Sequence, residues 1–304
     1  MMRETVRWSD EADEVISGDL TAAAAYITPA GGAVVIAVAP CGLGQRDRAM
    51  VGFTTSLGFS RKLERIIRDP HVALAYHTRE HGFSASHRYV LAQGQAVVGM
   101  TPSRERLEEL ISQGERYAGE VKRVLTWPDL GCYGDPRVAG APWPAPPRPQ
   151  QPPKNGSGPR VDVARAAGRI AMLPHRVLAY RGGDGFPVVV PVELGGHDNT
   201  GLRLVAATGL LPPGGRRAGL LAHAYRPQFV GLSTRTFTGW LEVTPDGTAT
   251  YAPHTSRGFV APPRKNLLLI SNGLFAKLGM WQAQRRGVAG RLQQLAVENA
   301  GPED

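Results

Sequence analysis

Thr54-Thr55-Ser56-Leu57-Gly58-Phe59-Ser60-Arg61-Lys62 is the stretch that decides the fold, because it joins a strand-like segment at 50–53 to a helix-like one at 63–67. Hydroxyl groups and free backbone N–H groups at a helix N-terminus can hold an anion, and the helix dipole favours negative charge there. Arg61 can donate two parallel hydrogen bonds to phosphate oxygens, and Lys62 adds a point charge. The stretch therefore predicts a phosphate site, with a polar turn carrying solvated cations as the alternative.

The chain beyond this stretch predicts strands separated by short turns. Asp69-Pro70 ends the helix, because proline cannot continue it, and 71–76 is rich in strand-forming residues. Further strands are predicted over 87–98, where Gly94 suggests a bulge, and over 121–128. This order resembles the FMN-binding split barrel of the pyridoxamine 5′-phosphate oxidase family over about residues 10–130.

The resemblance implies an FMN-binding oxidoreductase that acts on a small-molecule substrate of unknown identity. It assigns the cofactor phosphate to six residues: Thr54, Thr55, Ser56, Ser60, Arg61 and Lys62. It also implies that the backbone at 35–38 faces the flavin ring, and it names no catalytic residue. The strand at 33–40 lacks the basic residues of the oxidase itself, so pyridoxamine phosphate is not predicted as the substrate.

Two alternatives to an FMN enzyme stay open. A deazaflavin-dependent reductase would use the same two cations for its coenzyme, and a non-catalytic protein would carry flavin or haem. For the haem carrier, the histidines in 71–87 are the candidate axial ligands: His71, His77, His81 and His87. Their spacing is not that of a zinc site, and we interpret them as surface residues of a hairpin loop. His254 stands alone and is interpreted as structural.

An internal echo predicts that the barrel occurs twice. A Pro- and Gly-rich linker at 141–159 separates a first domain, 1–140, from a second, degenerate domain, 160–304. In the second half, the segment 185–193 is similar to the strand at 31–38, and 202–208 is similar to the strand that ends at Thr54. The segment 236–243 is similar to the strand around Gly94. The segment 214–221 is placed opposite the Ser60 helix, and 226–232 opposite Asp69-Pro70. We predict a mainly β fold of tandem Greek-key split barrels with helices at 102–117, 162–172 and 265–280.

The tandem arrangement implies that the two barrels form a pseudo-dimer within one chain, while a homodimer of such chains stays open. In the second copy, Pro212-Pro213-Gly214-Gly215-Arg216-Arg217 keeps two cations but loses the serine, so we interpret it as a relic that supports the barrel.

Composition limits the remaining classes of function. The 304 residues carry a formal net charge of +9, but the arginines are scattered through both halves, so no nucleic-acid partner is predicted. No apolar run is long enough to predict a membrane span, and the first residues do not have the pattern that predicts a signal peptide. The two cysteines have no metal-ligand spacing, so no metal is predicted, and the expected location is the cytoplasm.

Overall fold

The computed structural model describes residues 5–40, 44–53, 60–80, 82–98, 119–225 and 232–261, together with 281, 285, 287, 288, 290–292, 294 and 295. Thr54, Thr55 and Ser56 lie outside the described residues. The predicted helices over 102–117 and 265–280 lie outside them as well.

The first half of the chain forms one curled antiparallel sheet. Helix α1 (Asp10–Gly18) precedes it, and helix α2 (Ser60–Arg68) lies between its fourth and fifth strands. The strands are β1 (Ala22–Ile27), β2 (Ala33–Val38), β3 (Gly44–Gln45), β4 (Met50–Val51), β5 (His71–Tyr76), β6 (Tyr89–Gln95), β7 (Gly119–Trp127) and β8 (Arg137–Gly140). Their order in the sheet is β2-β1-β5-β6-β7-β4-β3, and β8 pairs with β7.

The second half repeats this topology. Helix α3 (Val163–Ala171) precedes its first strand, as α1 does in the first half. The strands are β9 (His175–Arg181), β10 (Pro187–Pro191), β11 (Glu193–Asp198), β12 (Gly201–Val205), β13 (Gly214–Ala224), β14 (Ser233–Val243) and β15 (Ala249–Val260). The order β10-β9-β13-β14-β15-β12-β11 matches the first sheet strand for strand. The prediction of a mainly β fold of tandem barrels is confirmed, with each sheet forming a half-barrel.

Equivalent bulges fix the correspondence between the two sheets residue by residue. The register of β6 with β7 shifts between Gln93 and Gly94, and that of β14 with β15 shifts at Gly239. A Cβ atom on either glycine would overlap a carbonyl oxygen of the neighbouring strand. Glycine is therefore required at both bulges, as the sequence suggested for Gly94.

Part of the sequence echo was aligned wrongly. The segment 214–221 belongs to strand β13, which takes the place of β5, whereas residues 206–213 connect β12 to β13 without a helix. The segment begins with Gly-Gly-Arg-Arg, which has the composition of a polar loop. Strand β13 nevertheless pairs with β14 over its whole length, beginning at Gly214. Helix α2 therefore has no counterpart in the second barrel. Most of 226–232 lies outside the described residues.

The two sheets pack against each other through a shared apolar core that draws on both halves of the chain. The Tyr89 hydroxyl donates a hydrogen bond to the Val189 carbonyl at 2.7 Å, and Gln93 Nε2 donates to the Pro187 carbonyl at 2.6 Å. Gly219 of β13 lies so near β2 that a Cβ atom there would be 2.7 Å from the Ala33 carbonyl oxygen. Such packing fits a pseudo-dimer within one chain.

The linker at 141–159 contains no helix or strand, but it packs on both barrels. Gln150 makes the bridging contacts: its Nε2 donates to the Gly31 carbonyl at 2.9 Å, and its Oε1 accepts from the Arg217 backbone N–H at 3.0 Å. Among the described residues, no helix combines the length and the apolar character needed to span a bilayer.

Candidate anion site and the histidines between the barrels

Helix α2 lies between the first barrel and the C-terminal helical residues. Ile66 is buried with Tyr26 and Val34 of the β1–β2 hairpin, while Leu63 packs against Val288 and Leu292. These contacts pack α2 against both the sheet and the C-terminal helical residues. The helix is thereby fixed in place against the β1–β2 hairpin.

Of the six predicted phosphate residues, Ser60, Arg61 and Lys62 belong to the described part of the chain. Ser60 begins α2, as predicted, whereas its preceding hydroxyl residues lie outside the described part of the chain. Arg61 is exposed, and Lys62 is half-buried with its Nζ 5.8 Å from the centre of the Phe53 ring. Burial lowers the pKa of Lys62 to about 8, because a partly dry site disfavours the charged amine.

The open end of β2 lies near this helix start. Phe53, the residue under Lys62, belongs to the same apolar cluster as Ile36 and Ile66. Residues 36–38 of β2 remain half-exposed, whereas Val35 is fully buried, with its backbone N packed against Gly219. Of the segment 35–38 that was expected to face a ring, Val35 is therefore covered, and residues 36–38 keep part of their solvent exposure.

Arg216, which the sequence echo had aligned with the cations of the Ser60 helix, is used differently from them. Arg216 is buried, and its Nη2 donates to the Pro212 and Pro213 carbonyls at 2.7 and 2.6 Å. Its guanidinium lies over the Tyr180 ring, and its Nε and Nη1 have no hydrogen-bond partner among the described residues. This guanidinium organises the loop before β13. Because the segment is not the counterpart of the Ser60 helix, its interpretation as a relic of the phosphate motif was wrong.

Two buried histidines meet between the sheets. His77 follows β5 and His223 lies on β13, and their Nε2 atoms are 2.6 Å apart. His77 Nδ1 is 3.1 Å from the Ala75 carbonyl and must donate to it. His77 Nε2 is then the acceptor, so His223 donates through Nε2, and its Nδ1 is buried without a partner among the described residues.

Further polar groups surround this pair. His175 Nε2 lies 2.6 Å from Glu80 Oε2, and the His175 ring centre is 5.1 Å from that of His223. Tyr225 stacks on His223 and donates its hydroxyl to the Glu80 carbonyl at 2.5 Å. Desolvation lowers the pKa of His77 to about 4 and that of His223 well below its usual value, so both rings are neutral at pH 7.

The surface interpretation of the histidines was wrong for His77. It holds for His87, which is exposed, while His71 is half-buried with its Nδ1 2.6 Å from Asp69 Oδ1. His81 lies outside the described residues. Half-buried His254 donates a hydrogen bond from Nε2 to the Ser157 carbonyl at 3.3 Å. Within the part of the chain that the structure describes, no three His, Cys, Asp or Glu side chains are grouped so as to hold a metal ion.

Sequence analysis missed His175 and His223. The signal that identifies His223 is its distance from the bulge glycine. In the first sheet, Val72 pairs with Gly94, and His77 lies five residues after Val72. In the second sheet, Ala218 pairs with Gly239, and His223 lies five residues after Ala218. The misaligned echo over 214–221 concealed this correspondence.

A cleft of about 1200 Å³ is also lined by residues of both barrels. Its walls include His71 from the first barrel and Asp184 and Phe186 from the second. Neither Arg61 nor Lys62 lines it, so it is separate from the predicted phosphate site.

Comparison of the sequence with protein-family models gives no match, and comparison with curated proteins gives none.

Proposed function

We propose that the protein binds FMN and acts as a flavin-dependent oxidoreductase on a small molecule, with a single cofactor phosphate at the start of α2. One observation carries the proposal. The same seven-strand order occurs twice, whereas the helix that follows the fourth strand, with Arg61 and Lys62 in its first turn, occurs only in the first barrel.

The surroundings of Lys62 support an anionic ligand. The amine is half-buried and its pKa is lowered, so it is charged at pH 7 at an energetic cost. A phosphate beside it would offset that cost, because an opposite charge favours the protonated amine. Arg61 is exposed at the same helix start and is free to turn onto the phosphate.

The motif in the sequence suggests the role of each residue. Arg61, Lys62 and the hydroxyl residues Thr55, Ser56 and Ser60 would bind the phosphate. The half-exposed backbone at 36–38, on the neighbouring strand, would orient the ring. FMN, when bound, supplies the hydride and electron chemistry, and the chain supplies binding and position.

Absorption of freshly purified protein, followed by reconstitution with FMN, tests the proposal. We expect the bands of oxidised flavin, and we expect the double variant Arg61→Ala/Lys62→Ala to lose them. The matched control is Arg165→Ala/Arg169→Ala, which removes two cations from α3 and should retain the cofactor.

Full flavin occupancy in the Arg61/Lys62 variant would refute the phosphate assignment. Failure of the wild-type chain to take up FMN would refute FMN binding. A single near-violet band would indicate the deazaflavin alternative, and a Soret band the haem carrier. For the carrier, His77 is already hydrogen-bonded to His223 in the structure and is not free to act as an axial ligand.

A further inference from the structure

A niche of about 290 Å³ lies where the C-terminal half of α2 meets the second barrel. Arg65 and Arg68 of α2 line one side, Arg181 of β9 lines another, and Thr28 of the β1–β2 turn lies between them. Both halves of the chain are needed to build this niche. No residue of the proposed flavin phosphate site contributes to it.

The charges in the niche are unbalanced. Within the described residues, none of the three arginines forms an ion pair with a carboxylate, although Arg65 hydrogen-bonds Tyr26. The acidic residue in the lining, Asp69, is bound to His71, whose Nδ1 lies 2.6 Å from its Oδ1. Three guanidinium groups therefore line one small volume that has a single carboxylate in its described lining.

The helix dipole explains only part of this arrangement. Cations in the last turn of a helix are favoured by its negative end, which accounts for Arg65 and Arg68. Arg181 belongs to a strand of the other barrel, so the dipole of α2 does not account for it. Its place opposite the two helical arginines is that of a third donor around a common anion.

We propose that this niche binds a small organic anion through a carboxylate or phosphate head group, held between the two barrels. The volume lies at the lower end of that of ligand pockets, about 300 to 1,000 Å³, and so suits a small metabolite better than a nucleotide. Arg68 lies about 10 Å along the helix from Arg61, so the two ends of α2 serve separate anions. This proposal does not depend on flavin binding.

Isothermal titration of the full chain with inorganic phosphate and, separately, with succinate tests the proposal at low ionic strength, with sodium chloride as the anion control. We expect one of the two to bind, and Arg68→Gln/Arg181→Gln to weaken its binding about tenfold or more, since charge-assisted hydrogen bonds are lost. Whichever probe binds more tightly identifies the head group. Arg181→Lys, which keeps the charge but not the planar fork, should give an intermediate affinity.

The control variant Arg165→Gln/Arg169→Gln changes the net charge equally on α3 and should leave the affinity unchanged. Arg68 and Arg181 are exposed, so the variants are expected to fold, and their thermal unfolding checks this. Binding of neither probe to the wild-type chain would overturn the proposal. Equal binding by the wild-type chain and the Arg68/Arg181 variant would overturn it as well.

Discussion

His77 and His223 touch through their Nε2 atoms, and they occupy the same register position in the two sheets. In a symmetric dimer, a residue on the two-fold axis meets its own copy. The contact therefore marks where such an axis would pass between the two barrels of this chain. The polar groups around it have diverged: His175 pairs with His223 across β9 and β13, whereas Thr21 occupies the matching place on the first barrel.

Acid is predicted to weaken the fold through this histidine pair. The folded-state pKa of His77 is lowered to about 4 and that of His223 is lowered as well, so the unfolded chain binds more protons below pH 6.5. Their contribution to stability is present above pH 6.5 and is lost as the pH falls toward 4. For His77 alone this amounts to on the order of 3 kcal/mol.

The charged groups nearby affect the same pH range. Arg79 and His175 disfavour a proton on His77. Asp19 has the opposite effect on the pH dependence of stability: burial raises the pKa of its carboxyl to about 7, so the folded chain binds this proton more tightly than the unfolded chain, and acid stabilises the fold at this group. Urea unfolding between pH 4 and 7 should therefore be compared between the wild type and His77→Gln/His223→Gln. The wild type should lose more stability on acidification. The exposed His87→Gln serves as the control. Parallel pH profiles for the wild type and the double variant would contradict the prediction.

The bulged glycines are predicted to tolerate no side chain. Gly94→Ala and Gly239→Ala should each destabilise the fold by roughly 1–3 kcal/mol or more, because the added Cβ meets backbone, which cannot move aside cheaply. Gly168 on α3 is the matched control, since a Cβ there meets nothing within 4 Å. Gly168→Ala should stabilise by about 0.5–1 kcal/mol through helix propensity. Chemical unfolding measures all three, and a neutral result at both bulges would show that the neighbouring strand yields.

The affinity for FMN is predicted to fall as the pH rises above about 8. Lys62 begins to lose its proton there, because burial lowers its pKa, and the neutral amine no longer attracts a phosphate. Between pH 7 and pH 9 the affinity should drop about tenfold, in proportion to the protonated fraction. Quenching of flavin fluorescence gives the dissociation constant at each pH.

Two controls make this prediction specific to Lys62. Riboflavin lacks the phosphate and should show no such decline. Lys62→Arg carries a charge at every pH in the range and should bind FMN with a flat profile. A decline of equal size with Lys62→Arg would mean that another group titrates.

Sequence reasoning located the elements better than the contacts between them. The predicted strands 71–76, 87–98 and 121–128 correspond to β5, β6 and β7, and the predicted helix 162–172 corresponds to α3. Local strand formers and the Asp69-Pro70 helix stop were sufficient to find the strands. The start of β13 was assigned wrongly to a position opposite the Ser60 helix. Gly-Gly-Arg-Arg has the composition of a loop, and it becomes a strand because it pairs with β14.

The site contacts depend on tertiary packing that no local pattern contains. The burial of Lys62 comes from Phe53 and the apolar cluster beneath it, and the arginines of the small niche come from residues 65, 68 and 181. The histidine pair joins residues 146 positions apart. Only a correct alignment of the two sheets would have predicted that pair.

The packed linker changes how the two barrels respond to dilution. In a dimer of separate subunits, the seam between barrels dissociates when the concentration falls below the dissociation constant. Here both barrels belong to one polypeptide, and Gln150 fastens the connecting segment to each of them. Reassociation is then an intramolecular event, so any pocket between the barrels keeps its walls even when very few copies of the protein are present.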